Sequence, residues 1–225
     1  MDVRRTSLSA GETRTRILDA ALALFVAHGF EATSMRMITG AAGVNLAAVN
    51  YHFGSKDVLV QEVLRRHLHP LNEKRMNALD AAEQAAGDRP VRASVIMEAF
   101  FGGSLELAAG SRKGHDFMRL LGRTFTEPSP QVRAFLSTEY AVVISRYKQA
   151  LQRALPAVPL EEIVWRLHFM LGAMSYAVSG IDSLQVLTGV RIDEPDAMQR
   201  MAPRLMSFLL GGLRAPLPGM EGRID

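Results

Sequence analysis

The sequence predicts an all-α protein, on three observations. Apolar residues return at three- and four-residue intervals through nearly the whole chain. Ser, Asn and Gly stand where those runs begin and end. No alternating stretch long enough for a strand occurs, and neither does an internal repeat or a low-complexity segment. The expected organisation is an N-terminal three-helix unit over residues 1–55 and a larger helical body over residues 56–225.

The first helix is expected over Glu12 to His28, where Ile17, Leu18, Ala21, Leu24 and Phe25 share one face. Gly29 ends it and Phe30 packs behind the stop. Ser34 caps a short helix, Met35 to Ala42, closed by Gly43, and Asn45 caps the next, Leu46 to His52. Ser55 opens a long helix from Lys56 through Gln84, in which Pro70 predicts a kink rather than a stop. After the break AGDRP come helices over roughly Val91–Ala109, Lys113–Thr126, Pro130–Leu155, Leu160–Ser183 and Pro195–Leu213. The stretches EPSP, LPAVP and TGVRIDEP punctuate them.

With 225 residues, 48% apolar and 22% charged, the composition is that of an ordinary globular chain able to build a core. The absence of cysteine excludes disulfides, thiolate zinc sites and a cysteine nucleophile, and it fits a reducing compartment. A cytoplasmic location is expected. No apolar run follows Arg4 and Arg5, and the longest uncharged stretch of the apolar C-terminal half, Leu167 to Ile181, is interrupted by Gly, Ser and His, so neither a signal peptide nor a membrane span is expected. The net charge of +3 conceals 22 Arg against 4 Lys, and arginine suits phosphate and carboxylate forks.

Two short capped helices joined by a tight glycine turn, with a helix before them, form a helix-turn-helix whose second helix enters the major groove of DNA. The groove-facing candidates are Asn45, Ala47, Ala48 and Asn50, all small or polar. Tyr51, His52 and Lys56 suit phosphate contacts that fix register without reading sequence. Leu46 and the start of the preceding helix, Thr33, Ser34 and Arg36, complete the candidate DNA contacts.

The stretch TSMRMITGAAGVNLAAVNYHFGSKDVL resembles the DNA-binding signature of the tetracycline-repressor (TetR) family. Gly29, Phe30, Thr33, Ala42, Gly43 and Val44 stand where that pattern wants them, as do Tyr51, His52, Phe53, Ser55, Lys56 and Leu59. Two positions depart from it. Asn50 stands where many members carry Tyr, which removes an aromatic contact and supplies an amide able to bind adenine bidentately. Thr39 and Gly40 stand where Ala and a larger polar residue are usual. Together with NLAAVNYHFGSK, the blocks FMRLLGRTF (117–125) and WRLHFMLGAMSYAVSGI (165–181) resemble the PsrA-type branch, whose members respond to long-chain fatty acids. The resemblance implies a transcriptional repressor that binds a palindromic operator as a homodimer and is released by a hydrophobic small-molecule effector.

In the second domain, Phe117, Met118, Leu121 and Phe125 form an apolar stripe, with Arg119 and Arg123 one turn apart on another face. Those arginines either hold a ligand carboxylate or pair with Glu106 or Glu139. Trp165, His168, Phe169, Gly172 and Tyr176 share a face of the next-to-last helix. An acyl ligand is expected among Phe100, Phe117, Met118, Leu121 and Tyr140, and among Tyr147, Trp165, His168, Phe169 and Met174. Seven methionines between Met97 and Met206 suit a pocket for a variable chain and equally suit core filling. The small residues Gly172, Ala173, Ser175, Ala177, Ser179 and Gly180, with MQRMAPRLMSFLLGGL, fit a four-helix dimer interface built from Trp165–Ser183 and Pro195–Leu213 of each chain, which a charge at Met174 or Phe208 would break.

An all-helical enzyme is the rival class. No GxSxG, HExxH, GxGxxG or P-loop spacing occurs, and His67 and His69 point to different helix faces. His115 beside Asp116 has no nucleophile in sequence reach. No catalytic residue, metal site or cofactor is expected. A further alternative keeps the regulator and changes its ligand to an acyl-CoA or a drug-like cation, for which Glu98, Glu106 and Asp116 are the acidic candidates.

Overall fold

The computed structural model describes residues 9–124, 130–178 and 197–217, with Gly189. Among the described residues there are nine helices and no strand: α1 (Ala10–Ala32), α2 (Met35–Ala42), α3 (Leu46–Phe53), α4 (Lys56–Ala86), α5 (Ala93–Gly110), α6 (Arg112–Thr124), α7 (Pro130–Ala154), α8 (Leu160–Val178) and α9 (Ala197–Leu213). The all-α expectation holds.

Helix α1 begins two residues before Glu12 because Ser9 and Glu12 close a capping box. The Glu12 N–H donates to Ser9 Oγ (3.2 Å) and the Ser9 N–H donates to the Glu12 carboxylate (2.8 Å). Gly29, at φ 82°, breaks the helical path and lets Phe30 turn back to Phe25, with ring centroids 5.3 Å apart. Helix α2 has the expected bounds, and α3 runs one residue longer, to the buried Phe53. Gly43 joins them at φ 62°, where a side chain would be strained and a β-carbon would stand 2.7 Å from the Arg16 guanidinium.

At 31 residues, α4 is about 46 Å long by its rise. It continues through Pro70 as one helix; the exposed proline takes a partner from the residue 66 carbonyl without ending the element. Its first half buries Leu59, Val60, Val63 and Leu64, and α4 packs against α1. From Leu68 on it buries Leu68, Leu71 and Leu79, and α4 also packs against α5 and α7. One continuous apolar core therefore runs from Ile17 to Leu213.

Helix α6 lies between α1 on one side and α5 and α8 on the other. Gly122 permits the approach to α8: a β-carbon there would come 2.8 Å from the Ser175 carbonyl. Phe125, Thr126, the stretch expected to extend α8 to Ser183, and Pro195 lie outside the described residues. Helix α8 turns Met170, Met174 and Val178 inward and leaves Trp165, Phe169 and Tyr176 half or more exposed. Phe208 of α9 is 70% exposed. Met174, expected at an intermolecular surface, is 4% exposed within the chain's own core, so that expectation is corrected; Phe208 stays outside.

Candidate functional site

Helix α3 buries Val49 completely and Phe53 nearly so, which turns Leu46, Ala47, Asn50 and Tyr51 outward. Tyr51 is 84% exposed. His52 is half-buried and stands edge-on to Tyr51 at 5.2 Å. The Ala48 N–H donates to Asn45 Oδ1 (2.8 Å), so the carbonyl end of Asn45 serves as the helix cap and only its amide end faces out. Ala48 is half-buried. On α2, the Ser34 hydroxyl accepts from the Met37 N–H (3.2 Å) and Arg36 is exposed. Lys56 is half-buried, and its Nζ donates to the Glu31 carbonyl (3.2 Å), tying the start of α4 to the end of α1.

Thr33 does not belong to this face. It is completely buried, and its hydroxyl donates to the carbonyls of Gly29 (2.8 Å) and Leu24 (3.3 Å). The expectation that it contacts DNA is corrected: the chain reverses after Gly29, and Thr33 satisfies the carbonyls exposed there.

Behind the helix-turn-helix, α1, α4 and α6 meet in a charged and aromatic joint. Asp19 of α1 accepts from Arg66 of α4 (2.9 Å) and Lys113 of α6 (2.7 Å). Burial works to raise its carboxyl, and the Lys113 hydrogen bond with the Arg66 charge outweighs burial, holding the group below 3.8. His67 stacks on Phe117 with centroids 4.7 Å apart, and burial followed by the Arg66 charge pushes its imidazole below 6.5. Arg123 donates to the Val26 carbonyl of α1 (3.0 Å).

Deeper in the body, α4 to α8 surround a void of about 20 Å³. Met118, Leu121, Leu171, Met174 and Val178 form its apolar wall, and Arg75, Ser104, Tyr140 and Ser175 its polar one. A far larger open groove, about 830 Å³, lies on the surface between α5 and α9, with Glu98, Glu106 and Arg214 on its lining. Among the described residues, no group of three or more His, Asp and Glu could hold a metal ion, and no helix is long and apolar enough to cross a membrane.

The family model described as tetracyclin repressor-like, C-terminal domain, matches residues 98–212, just over half of the chain. The model for bacterial regulatory proteins of the tetR family matches residues 17–63. The chain belongs to the TetR family. Its TetR relatives include the transcriptional regulator SrpR of Pseudomonas putida, 46% identical over 68 residues, and AcrR of Shigella flexneri, 39% identical over 82 residues. These alignments cover 30% and 36% of this chain, and the chain spans about a third of each relative's length, 32% and 36%. The TetR fold is shared with FadR, a fatty acid degradation regulator of Bacillus halodurans (TM-score 0.63, 15% identity, covering 91% of this chain and 97% of that one). It is also shared with NalD of Pseudomonas aeruginosa, the secondary repressor of the MexAB-OprM multidrug efflux pump (TM-score 0.62, 21% identity, covering 91% and 98%).

Within this TetR chain the expected ligand residues divide into three groups. Met118, Leu121, Tyr140 and Met174 meet at the void. Phe100, Phe117 and Tyr147 are buried but do not line it: Phe117 faces His67 of α4, the Phe100 ring lies against Arg75, and the Tyr147 hydroxyl donates to the Arg75 carbonyl (2.7 Å), with burial pushing its phenol up. Trp165, His168 and Phe169 stand on the outer face of α8, away from Met174, so the structure does not bring them to the same cavity. Arg119 and Arg123 are half-buried on α6. Of their expected partners, Glu106 pairs with Lys74 and Glu139 with Arg65. Arg75 went unnoticed in the sequence because it stands in the polar run NEKRMN, which reads as a solvated face.

Proposed function

We propose that this TetR-family regulator is a repressor that binds a palindromic operator as a homodimer through α3 and is released by a hydrophobic ligand entering the void among α4 to α8. The carrying observation is that α6 forms a wall of that void with Met118 and Leu121 while Lys113, Phe117 and Arg123 of the same helix engage α1 and α4. At about 20 Å³ the void is far below the roughly 300–1,000 Å³ of ordinary small-molecule pockets. A ligand can therefore enter only if helices separate. Moving α6 away from α8 disturbs its contacts with α1, and α4 carries the change toward the DNA face. A ligand shifts this equilibrium only through its differential affinity for the two arrangements, ordinarily about 1–3 kcal/mol of coupling.

A long-chain acyl ligand fits this reading best. The PsrA-type resemblance supports it, and so does FadR of Bacillus subtilis, which shares the fold at 13% identity with a TM-score of 0.61, covers 88% of this chain and 98% of its own, and was solved with stearoyl-CoA. Each buried methylene contributes about 0.8 kcal/mol, so affinity should rise with chain length until the pocket is full. A second reading, a hydrophobic cation, is favoured by Glu98 and Glu106 in the open groove between α5 and α9. The test is to select a duplex from a random pool and follow its release while titrating fatty acids of increasing length, an acyl-CoA and a hydrophobic cation. Release by acids with a length optimum is expected. Release by the cation alone transfers the function to the groove, and release by none of them removes both readings.

A further inference from the structure

Arg75 lies in the second half of α4 and is only 3% exposed. Its Nε donates to the Phe100 carbonyl (3.0 Å), Nη1 to Asn72 Oδ1 (2.9 Å) and Nη2 to Ser104 Oγ (2.8 Å). All three acceptors are neutral. The guanidinium carbon stands 4.3 Å from the Phe100 ring centroid and 5.6 Å from that of Tyr140. Aromatic faces soften the cost of a buried cation, but they carry no net charge to cancel it.

Among the described residues no carboxylate pairs with Arg75. Four acidic groups of the surrounding helices are engaged elsewhere, Glu139 with Arg65, Glu106 with Lys74, and Asp80 and Glu83 with Arg146, and Glu98 of α5 is exposed. A full positive charge is thus held inside the body without a counter-ion, at the wall of the void. Buried charges are ordinarily paired. Three of the five guanidinium N–H groups are used, which leaves one hydrogen on each terminal nitrogen. A carboxylate oxygen accepts from donors of that kind.

We propose that Arg75 receives the anionic head of the effector, and that the effector is a free long-chain acid rather than its thioester. The proposal rests on the reading that the ligand enters this void. A carboxylate at Arg75 supplies the missing counter-charge, and its alkyl tail then runs along Met118, Leu121 and Met174, between α6 and α8. A thioester presents a neutral carbonyl at that point, with its phosphates at the far end of the pantetheine arm, so it leaves Arg75 unneutralised. The arginines on α6 serve this role less well: Arg123 is drawn toward α1 by the Val26 carbonyl, and neither it nor Arg119 lines the void.

The experiment is titration calorimetry of the full chain with palmitate, hexadecanol and palmitoyl-CoA, supported by native mass spectrometry. Palmitate should bind at least tenfold more tightly than hexadecanol, which has the same tail and a neutral head, and at least tenfold more tightly than palmitoyl-CoA. In Arg75→Met the preference for palmitate over hexadecanol should disappear; Arg75→Lys, which keeps the charge, should fall between. A preference for palmitate that survives in Arg75→Met overturns the assignment. Equal binding of palmitate and hexadecanol by the unaltered chain overturns it too, whether or not the variant folds, and leaves the acyl reading standing. Binding of none of the three probes overturns both.

Discussion

Asn50 lies within α3 and Lys56 at the start of α4, and they differ in what holds them. Asn50 is exposed on α3 with its amide turned outward, whereas Lys56 is half-buried and anchored to the Glu31 carbonyl. An amide facing the major groove discriminates between bases; an ammonium at the edge of the segment meets phosphate. Asn50→Ala should therefore cost about 1–3 kcal/mol on the preferred duplex and relax selectivity at one base pair. Lys56→Ala should weaken binding to specific and random duplexes alike and reduce the salt slope by about one unit. Binding isotherms at several salt concentrations on both duplexes check this, and equal losses on both for both variants would refute the division. Thr33 belongs with neither: its hydroxyl holds the carbonyls of the Gly29 turn, so its contribution is to the fold.

At the scale of the element, the joint of α4 with α6 shows what pH should do. His67 and His115 both titrate below 6.5 in the folded chain, each through burial first and a neighbouring arginine second. An unfolded chain takes up those protons near 6.5, so it binds more protons than the folded chain as the pH falls below that value. Stability should accordingly be constant above about pH 6.5 and fall below it. Asp19, held below 3.8, stays charged throughout that window and adds nothing to the slope. Melting temperatures at pH 7.5, 6.5 and 5.5 should decline on acidification, and His67→Gln should flatten the decline. A curve that rises on acidification, or one that His67→Gln leaves unaltered, contradicts the assignment.

The ends of the elements were legible because single residues set them. Ser34, Gly43, Asn45 and Ser55 cap or close the helices at the positions read from sequence, since a cap is a local interaction between neighbours. The facing of α8 was not legible. It is apolar nearly all round, so periodicity cannot say that Met174 is covered by the chain itself while Trp165 and Phe169 are not. Arg75 was hidden for the complementary reason. A lone arginine among Asn, Glu and Lys looks solvated until α5 and α7 close over it, and that closure is a property of the packing. The bounds of α3 were legible to within one residue, and of the residues lining the void Met118, Leu121, Tyr140 and Met174 were legible while Arg75 was not.

For the molecule as a whole, Trp165, Phe169 and Tyr176 of α8 and Phe208 of α9 are large apolar side chains left exposed on two helices that pack together, and we propose that a second copy covers them. Phe208→Asp should convert dimers to monomers in sedimentation experiments, whereas a charge at Met174 should unfold the chain, because Met174 is core. An unaltered dimer from both Phe208→Asp and Phe169→Asp would place the interface elsewhere.

Trp165 is the chain's one tryptophan, 51% exposed in the single chain and stacked on Phe169 with ring centroids 5.8 Å apart. The indole emission of the whole protein therefore arises from the surface that the proposed second copy would cover, and on that proposal it is an intrinsic, label-free optical gauge of association. Emission should shift to the red as the protein is diluted through its dissociation constant, and it should already be red-shifted and independent of concentration in Phe208→Asp. Ligands or duplexes that strengthen or loosen the pairing would then be read from colour alone.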